Sequence, residues 1–326
     1  MDMPKRSSTD VIRVKGEETA LQISKAGVLF VCLVLLGTPY ILVVLAVIIL
    51  AIKVRQGHLR GQAVKIGTRQ FPEVLAASVE ATALLDMPVP DVFVTQNPAI
   101  NAFAIGFFGR DSVVLNSATV EAMGPAELRA VLGHEFAHVK FGHTEWMAFT
   151  NLNDTIRVPI VSDLIGIAFL AWSRKAEYTG DRGGLLASRD LKASVSALAK
   201  IAVGRNLFEK MDIDAFLGQR DEIRTDDTAR LSETLATHPY IVNRIHALRE
   251  FSRSECFVRH LLDAAKERII SPQTHADEEA VRAALRDCDL AIALRPEYAR
   301  AHAERGYILW FSQTIVRDTN DRSTDM

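Results

Sequence analysis

Residues Ala26 to Ile52 read AGVLFVCLVLLGTPYILVVLAVIILAI, a run of 27 positions without one charge. As a helix this run would extend roughly 40 Å, enough to cross a ~30 Å hydrocarbon core with some tilt and too little to cross twice. A secretory signal would carry an apolar core of only ~7–15 residues ending at small side chains, and a buried core helix rarely runs this long without a polar position. The run therefore predicts a single transmembrane helix over 26–52, kinked near Gly37 and Pro39. Lys53, Arg55, Arg60, Lys65 and Arg69 follow it with no acid before Glu73, a denser basic flank than the one preceding it. By the positive-inside tendency, the bulk of the chain is expected in the cytoplasm, on a single-pass plasma or inner-membrane protein. A second apolar stretch, Val158 to Trp172, is shorter and contains Asp163, so a core or membrane-surface helix is expected there.

Lys plus Arg number 38 against 40 Asp plus Glu. With no basic excess to hold a phosphate backbone, nucleic-acid binding is excluded. Three cysteines, Cys32, Cys256 and Cys288, form no CxxC pair, which excludes a disulfide framework and a cysteine-built zinc site.

The chain divides into a polar N-terminal tail (1–25), the apolar segment (26–52), a central domain (60–252), a helical extension (253–313) and a disordered tail (314–326). In the central domain, 72–86 has helical periodicity after a proline start. Short β-rich runs follow at Val92–Thr95, Asn101–Ile105 and Ser112–Leu115, and predict a small antiparallel sheet. From Pro125 to about 252 the sequence reads helical, with breaks near Gly183-Gly184, Gly204 and His238-Pro239. The fold class expected is mainly α with a small β-sheet. In the extension, Ala284, Ala291, Pro296 and Gly306 are spaced as in a tetratricopeptide-like repeat; a generic helical hairpin is the competing reading.

The chemistry centres on AELRAVLGHEFAHVKFGH, Ala126 to His143. Pro125 suits a first helical position, and Leu128, Val131, Leu132 and Phe136 make one apolar stripe. His134 and His138, four apart, share a face and can reach one metal ion, while Glu135 beside them is placed to take a proton from water. His143 reads as a satisfied core or surface residue. Zinc needs a third protein ligand and keeps one position open for catalysis. SRKAEYTGD, Ser173 to Asp181, offers Glu177 as that ligand and, one turn on, Asp181 to accept the spare N–H of a ligand histidine.

HExxH followed by SRKAEYTGDRGG resembles the HtpX-like membrane-associated zinc peptidases, which are related to the CAAX prenyl endopeptidases. NAFAIG (Asn101–Gly106), the lead-in from Ser112 and ATHPYIVNRIHAL around His238 agree with it in order over roughly 70–252. The resemblance implies a gluzincin domain with zinc held by His134, His138 and Glu177, Glu135 as base and Asp181 behind the ligands. It also implies Asn101, His238 and Arg244 near the substrate; a zinc peptidase needs a donor beside the metal, and His238 or Arg244 is expected to steady the oxyanion. Ala102, Phe103 and Ala104, next to Asn101, are expected to pair with an extended polypeptide. Alanine is common in the family where Gly180 stands, a difference that reads as harmless. Where the family carries several spans, this chain shows one.

The function expected is a membrane-anchored zinc endopeptidase acting on unfolded or damaged polypeptides near the membrane. Its partners would be substrate polypeptides, membrane lipid and a protein partner at the C-terminal helices. The alternative is an inactive membrane-tethered adaptor that binds partners through those helices.

Overall fold

Helix dominates the computed structural model, which describes residues 11–35, 40–106, 111–150, 161–270 and 278–324. In chain order come α1 (Glu17–Leu35), α2 (Tyr40–Gln62), β1 (Val64–Lys65), α3 (Pro72–Leu85), β2 (Asp91–Thr95), β3 (Ala102–Ile105) and β4 (Ser112–Asn116). Then follow α4 (Ser117–Ala122), α5 (Pro125–Lys140), α6 (His143–Thr150), α7 (Val161–Ser188), α8 (Leu191–Val203) and α9 (Arg205–Phe208). The remainder is α10 (Ile213–Thr225), α11 (Asp227–Thr234), α12 (Ile241–Ser252), α13 (Glu255–Ile270), α14 (Glu278–Leu294) and α15 (Ala299–Thr324). Two compact units separate between Leu248 and Arg249.

The apolar run from Ala26 is shared by two helices, bounded at Leu35 and Tyr40. The expected kink at Gly37 and Pro39 lies outside the described residues. Among the described residues no helix is long and apolar enough to cross a membrane. Both helices leave large apolar side chains exposed, among them Leu29, Phe30, Val43, Val47, Leu50 and Val54.

The sheet is four-stranded in the order β1-β2-β4-β3, and it is mixed, which corrects the antiparallel expectation. β1 and β3 pair antiparallel with β2 and β4, but β2 and β4 run parallel, Asp91 opposite Ser112 and Thr95 opposite Asn116. The reason is the path of β3. The chain leaves β2, passes β4's position and returns along the far edge, so β4 enters the gap between them. Ser112–Asn116 is buried at every position, and its apolar centre, Val113–Leu115, suits a central strand covered on both faces.

The two helices that matter most are α5 and α7. All four residues of the predicted stripe on α5 are buried, each contributing about 1.5–3 kcal/mol on leaving water. At the N-terminus of α5, Glu127 Oε2 accepts from the Gly124 N–H at 2.7 Å, capping a donor that the helix start leaves unpaired, and pairs with Lys200 Nζ of α8 at 2.6 Å. The helices cross on glycine. A Cβ on Gly133 would lie 2.3 Å from Ala187 Cβ, and one on Gly184 would lie 2.5 Å from the Ala130 carbonyl oxygen. Gly183-Gly184 is thus no helix break: α7 runs through it, and the missing side chains let the backbones touch. The breaks at Gly204, with φ 81°, and around His238-Pro239 do fall between helices. Val161–Trp172 opens α7, with Phe169 and Trp172 fully buried against Leu21 of α1.

In the second unit α13 packs on α14 and α14 on α15. Ala284 and Ala291 are fully buried and Arg268 pairs with Asp287. Helix α15 continues to Thr324 through residues read as a disordered tail from 314; no Gly or Pro after Gly306 stops it.

Candidate metal centre

Close approach of α5 and α7 brings together the two halves of the motif. His134 and His138 project from one face of α5, and Glu177 meets them from α7. The Nε2 atoms of His134 and His138 are 3.0 Å apart, and Glu177 carboxylate oxygens lie 3.7 Å from each. Three ligands of a tetrahedral zinc ion, each about 2.0–2.1 Å from it, would be separated by roughly 3.3–3.4 Å, so these residues fit the ion. They are the group among the described residues whose ligand atoms converge in this way. Burial, reinforced by His134, holds the His138 imidazole well below its ordinary pKa, in the neutral form that can ligate. Burial opposes charging of His134, but Asp181 and Glu177 raise it above the ordinary value; the same negative potential favours a divalent cation. Burial opposes ionisation of Glu177 too, and Arg244 and His238 overcome this and hold its carboxyl well below the usual range.

Asp181 lies one turn beyond Glu177 on α7. Its Oδ1 is 3.1 Å from His134 Nδ1, the geometry of a carboxylate fixing a ligand's tautomer. Arg244 reaches in from α12 and grips Asp181 with two bonds, Nε to Oδ2 at 2.9 Å and Nη2 to Oδ1 at 2.6 Å. Its Nη1 lies 3.1 Å from Glu177 Oε2. His238 places Nδ1 3.1 Å from the same oxygen while its side chain stays exposed. Gly180 is not neutral here: a Cβ on it would come within 2.6 Å of His134 Cε1, so α7 has no room for a side chain beside the ligand ring at this position.

Two further residues stand beside the cluster: His143, which the sequence assigns to the core or the surface, and Glu17, which no motif singles out. His143 Nδ1 is 2.9 Å from His138 Nδ1, and His143 Nε2 is 2.9 Å from Glu17 Oε1. On a continuous helix, five residues carry a side chain about 140° round and ~7.5 Å along, which is why spacing alone hides His143. Gly142, at φ 65°, ends α5 and turns the chain so that His143 folds back. Glu17 carries no local signal, lying far away in sequence.

The centre opens into a cleft of about 820 Å³ lined by residues 99–105, the metal group, His238 and Arg244. Glu135 is 7% exposed at its floor. Burial pushes its carboxyl above the ordinary range, with His134 opposing and Glu177 adding, and the Ala104 N–H donates to it. Asn101 is tied down at its backbone: its N–H donates to Thr119 Oγ1 at 2.8 Å and its carbonyl accepts from Asn116 N–H at 3.0 Å. Strand β3, with Ala102, Phe103 and Ala104, is thereby held as the outer edge of the sheet over the metal group.

An HExxH helix packed through glycine on a second helix that supplies the glutamate, beneath an edge strand, defines a zinc metalloprotease domain of the gluzincin type. The chain belongs to peptidase family M48, whose description, "Peptidase family M48", matches residues 68–252. M48 metallopeptidases are zinc-dependent. The chain is 33% identical over 214 residues to the plastoglobule-localized metallopeptidase 48 of Arabidopsis thaliana, covering 60% of this chain and 61% of that protein. It is 27% identical over 228 residues to a protease HtpX homolog of Moorella thermoacetica, covering 58% of this chain and 75% of that one. A protease HtpX homolog of Streptococcus equi is 22% identical over 231 residues, with 58% and 76% covered. The chain thus spans about three fifths of the length of the Arabidopsis relative. No solved structure matches it.

Proposed function

We propose that this chain is a membrane-anchored zinc endopeptidase that cleaves extended, unfolded or damaged polypeptide segments close to the membrane. The observation carrying the reading is the convergence of His134, His138 and Glu177 beside buried Glu135, beneath an edge strand in one cleft. Bound by those three residues, zinc supplies the Lewis acidity that makes water nucleophilic near neutral pH and polarises a carbonyl. Glu135, buried at the floor of the cleft, takes the proton of the attacking water and returns it to the leaving amine. The outer edge of β3 pairs with an extended substrate, the small side chains of Ala102 and Ala104 leave selectivity low, and Asn101, whose N–H and carbonyl are engaged by Thr119 and Asn116, anchors that strand. His238, exposed in the cleft, is the donor to the developing oxyanion. Arg244, occupied by Asp181 and Glu177, holds those carboxylates rather than touching substrate.

The anchor is the 26–52 run, supported by its lack of charge and by exposed Val43, Val47, Leu50 and Val54, which recur at helical spacing along one face of α2. The basic flank after it favours a cytoplasmic catalytic domain. Tyr307 and Trp310, exposed on α15, support a protein partner at the C-terminal helices. The full chain in detergent should carry about one zinc and cleave casein, with activity abolished by chelator and restored by zinc. Glu135→Gln should keep the metal and lose proteolysis by at least ~10²-fold. Protein that binds zinc yet cleaves nothing would return the adaptor reading, and release from membranes by alkaline carbonate would remove the anchor.

A further inference from the structure

We propose that Glu17 is a positioning residue of the metal centre, acting through His143 to orient the ligand His138. The proposal rests on the zinc site described above. Its first support is burial: Glu17 is 0%, His143 1% and His138 2% exposed, so the three polar groups have only each other and their immediate neighbours to satisfy them. The second is the direction of the protons. Ligation through His138 Nε2 leaves that ring's proton on Nδ1, which then donates to His143 Nδ1 at 2.9 Å. His143 must therefore carry its own proton on Nε2, and this donates to Glu17 Oε1 at 2.9 Å. Each ring nitrogen in the row then has one role, and the row ends on an acceptor.

The carboxylate is itself held from several sides. Thr179 Oγ1 donates to Glu17 Oε2 and accepts from the Val14 N–H at 3.0 Å, and Arg13 Nε lies 3.2 Å from Oε1. Burial opposes ionisation of Glu17, yet its bonds to His143 and Thr179 hold its carboxyl below the ordinary range. Thr179 sits two residues after the ligand Glu177 on α7, so the helix supplying the third ligand also fixes the far end of the row. Trp172, edge-on to His143 with ring centres 5.6 Å apart, closes the side against water. Glu17 lies in the first turn of α1, the helix that enters the apolar run and falls outside residues 68–252. Support for the metal thus comes from the segment leading into the proposed anchor, and a peptidase domain lacking that segment would lose it.

A docking role is the rival: the Glu17–His143 pair could merely fasten α1 to the domain. Zinc affinity by chelator competition and the visible spectrum of the cobalt-substituted full chain, both in detergent, separate the two. Glu17→Ala should weaken zinc binding about 10–100-fold, the range for partners of ligand residues, and shift the cobalt bands. His143→Ala should do the same, and the double variant should be no worse than either single one, as expected for residues acting in one row. Glu17→Gln, whose amide oxygen still accepts from His143, and His143→Gln, which offers one acceptor and one donor, should each retain most of the affinity. Should the alanine variants fail to fold, the glutamine variants carry the test: a full loss of affinity in both would overturn the proposal. Leu21→Ala, which removes packing on α1 and leaves every hydrogen bond of the row in place, should lower the melting temperature and leave affinity and spectrum within about twofold. Unchanged affinity in Glu17→Ala, additive losses in the double variant, or an equal loss in Leu21→Ala would each overturn it. A wild-type chain that takes up neither zinc nor cobalt would instead remove the metal-centre reading itself.

Discussion

His134 and His138 leave the same helix one turn apart and converge on the same point, yet they are supported in different ways. Behind His134 stands a carboxylate in direct contact, Asp181, itself clamped by Arg244. Behind His138 stands a second imidazole, and the carboxylate comes only after it, from a helix more than a hundred residues earlier. The first arrangement is rich in charge: a cation and two carboxylates in contact, all buried. The second places a single carboxylate, paired with half-buried Arg13, at the end of a row. A direct carboxylate sets tautomer and adds negative potential at the metal, whereas an intervening ring passes on orientation and keeps the charge at a distance. The helix crossing explains the asymmetry. On the His134 side α7 comes so near that Gly180 lies on the ring, leaving room for no more than a carboxylate. On the His138 side α5 ends and the chain turns back, and His143 fills the space.

Arg244→Ala should break the His134 side most severely. It leaves Asp181 and Glu177 buried without their cation, which costs about 3–5 kcal/mol when a buried pair loses one partner. We expect a large fall in melting temperature together with weaker zinc binding, and Arg244→Lys should not restore the fork that grips Asp181. A variant with unchanged melting and metal affinity but slowed turnover would instead make Arg244 a substrate-facing donor.

Gly180→Ala should have a smaller effect, and one confined to His134. The added methyl must displace a ring pinned by Asp181, an overpacking cost of about 1–3 kcal/mol. Zinc affinity measured by chelator competition should fall, with the His143 row unaffected. Retention of full affinity would show that the ring can yield and that the close crossing does not constrain the site.

The smallest effect concerns the other end of the same helix, away from both supports. Burial would raise the Glu127 carboxyl, but Lys200, Ser196 and the Gly124 N–H hold it below the ordinary value. A lowered pKa in the folded state contributes stability above the ordinary carboxylate range and loses it as pH falls through the lowered value. Glu127→Gln should therefore melt slightly lower than wild type near neutral pH, with the gap closing below about pH 4.5. Thermal melts of the metal-free protein check this without interference from zinc release. A gap independent of pH would mean that Glu127 acts through shape alone.

Legibility of the site followed the same division. The half carried by local spacing could be read directly: HExxH on one helix, then a glutamate and an aspartate four apart on the next. Helical periodicity also placed the buried face of α5 and the proline start of α3. The sheet was read less well, because period and composition identify strands but not their neighbours, and β3's passage to the outer edge is a matter of chain path. Gly183-Gly184 was read as punctuation because glycine does break helices; here the gain from bringing two backbones together outweighs a propensity cost of about 1 kcal/mol per glycine.

What the residue order determined alone was therefore the local chemistry: which atoms can ligate, which carboxylate is free to act as base, and which segment has no charge to keep it in water. Tertiary structure decided the rest. It set how near α5 and α7 approach, it brought Arg244 onto the carboxylates of Asp181 and Glu177, and it joined Glu17 to a histidine at position 143. Hydrogen bonds and ion pairs act over ~3 Å regardless of how many residues separate the partners. Local spacing holds that information only within a turn or two of helix, and beyond that only the packed chain brings the partners into reach.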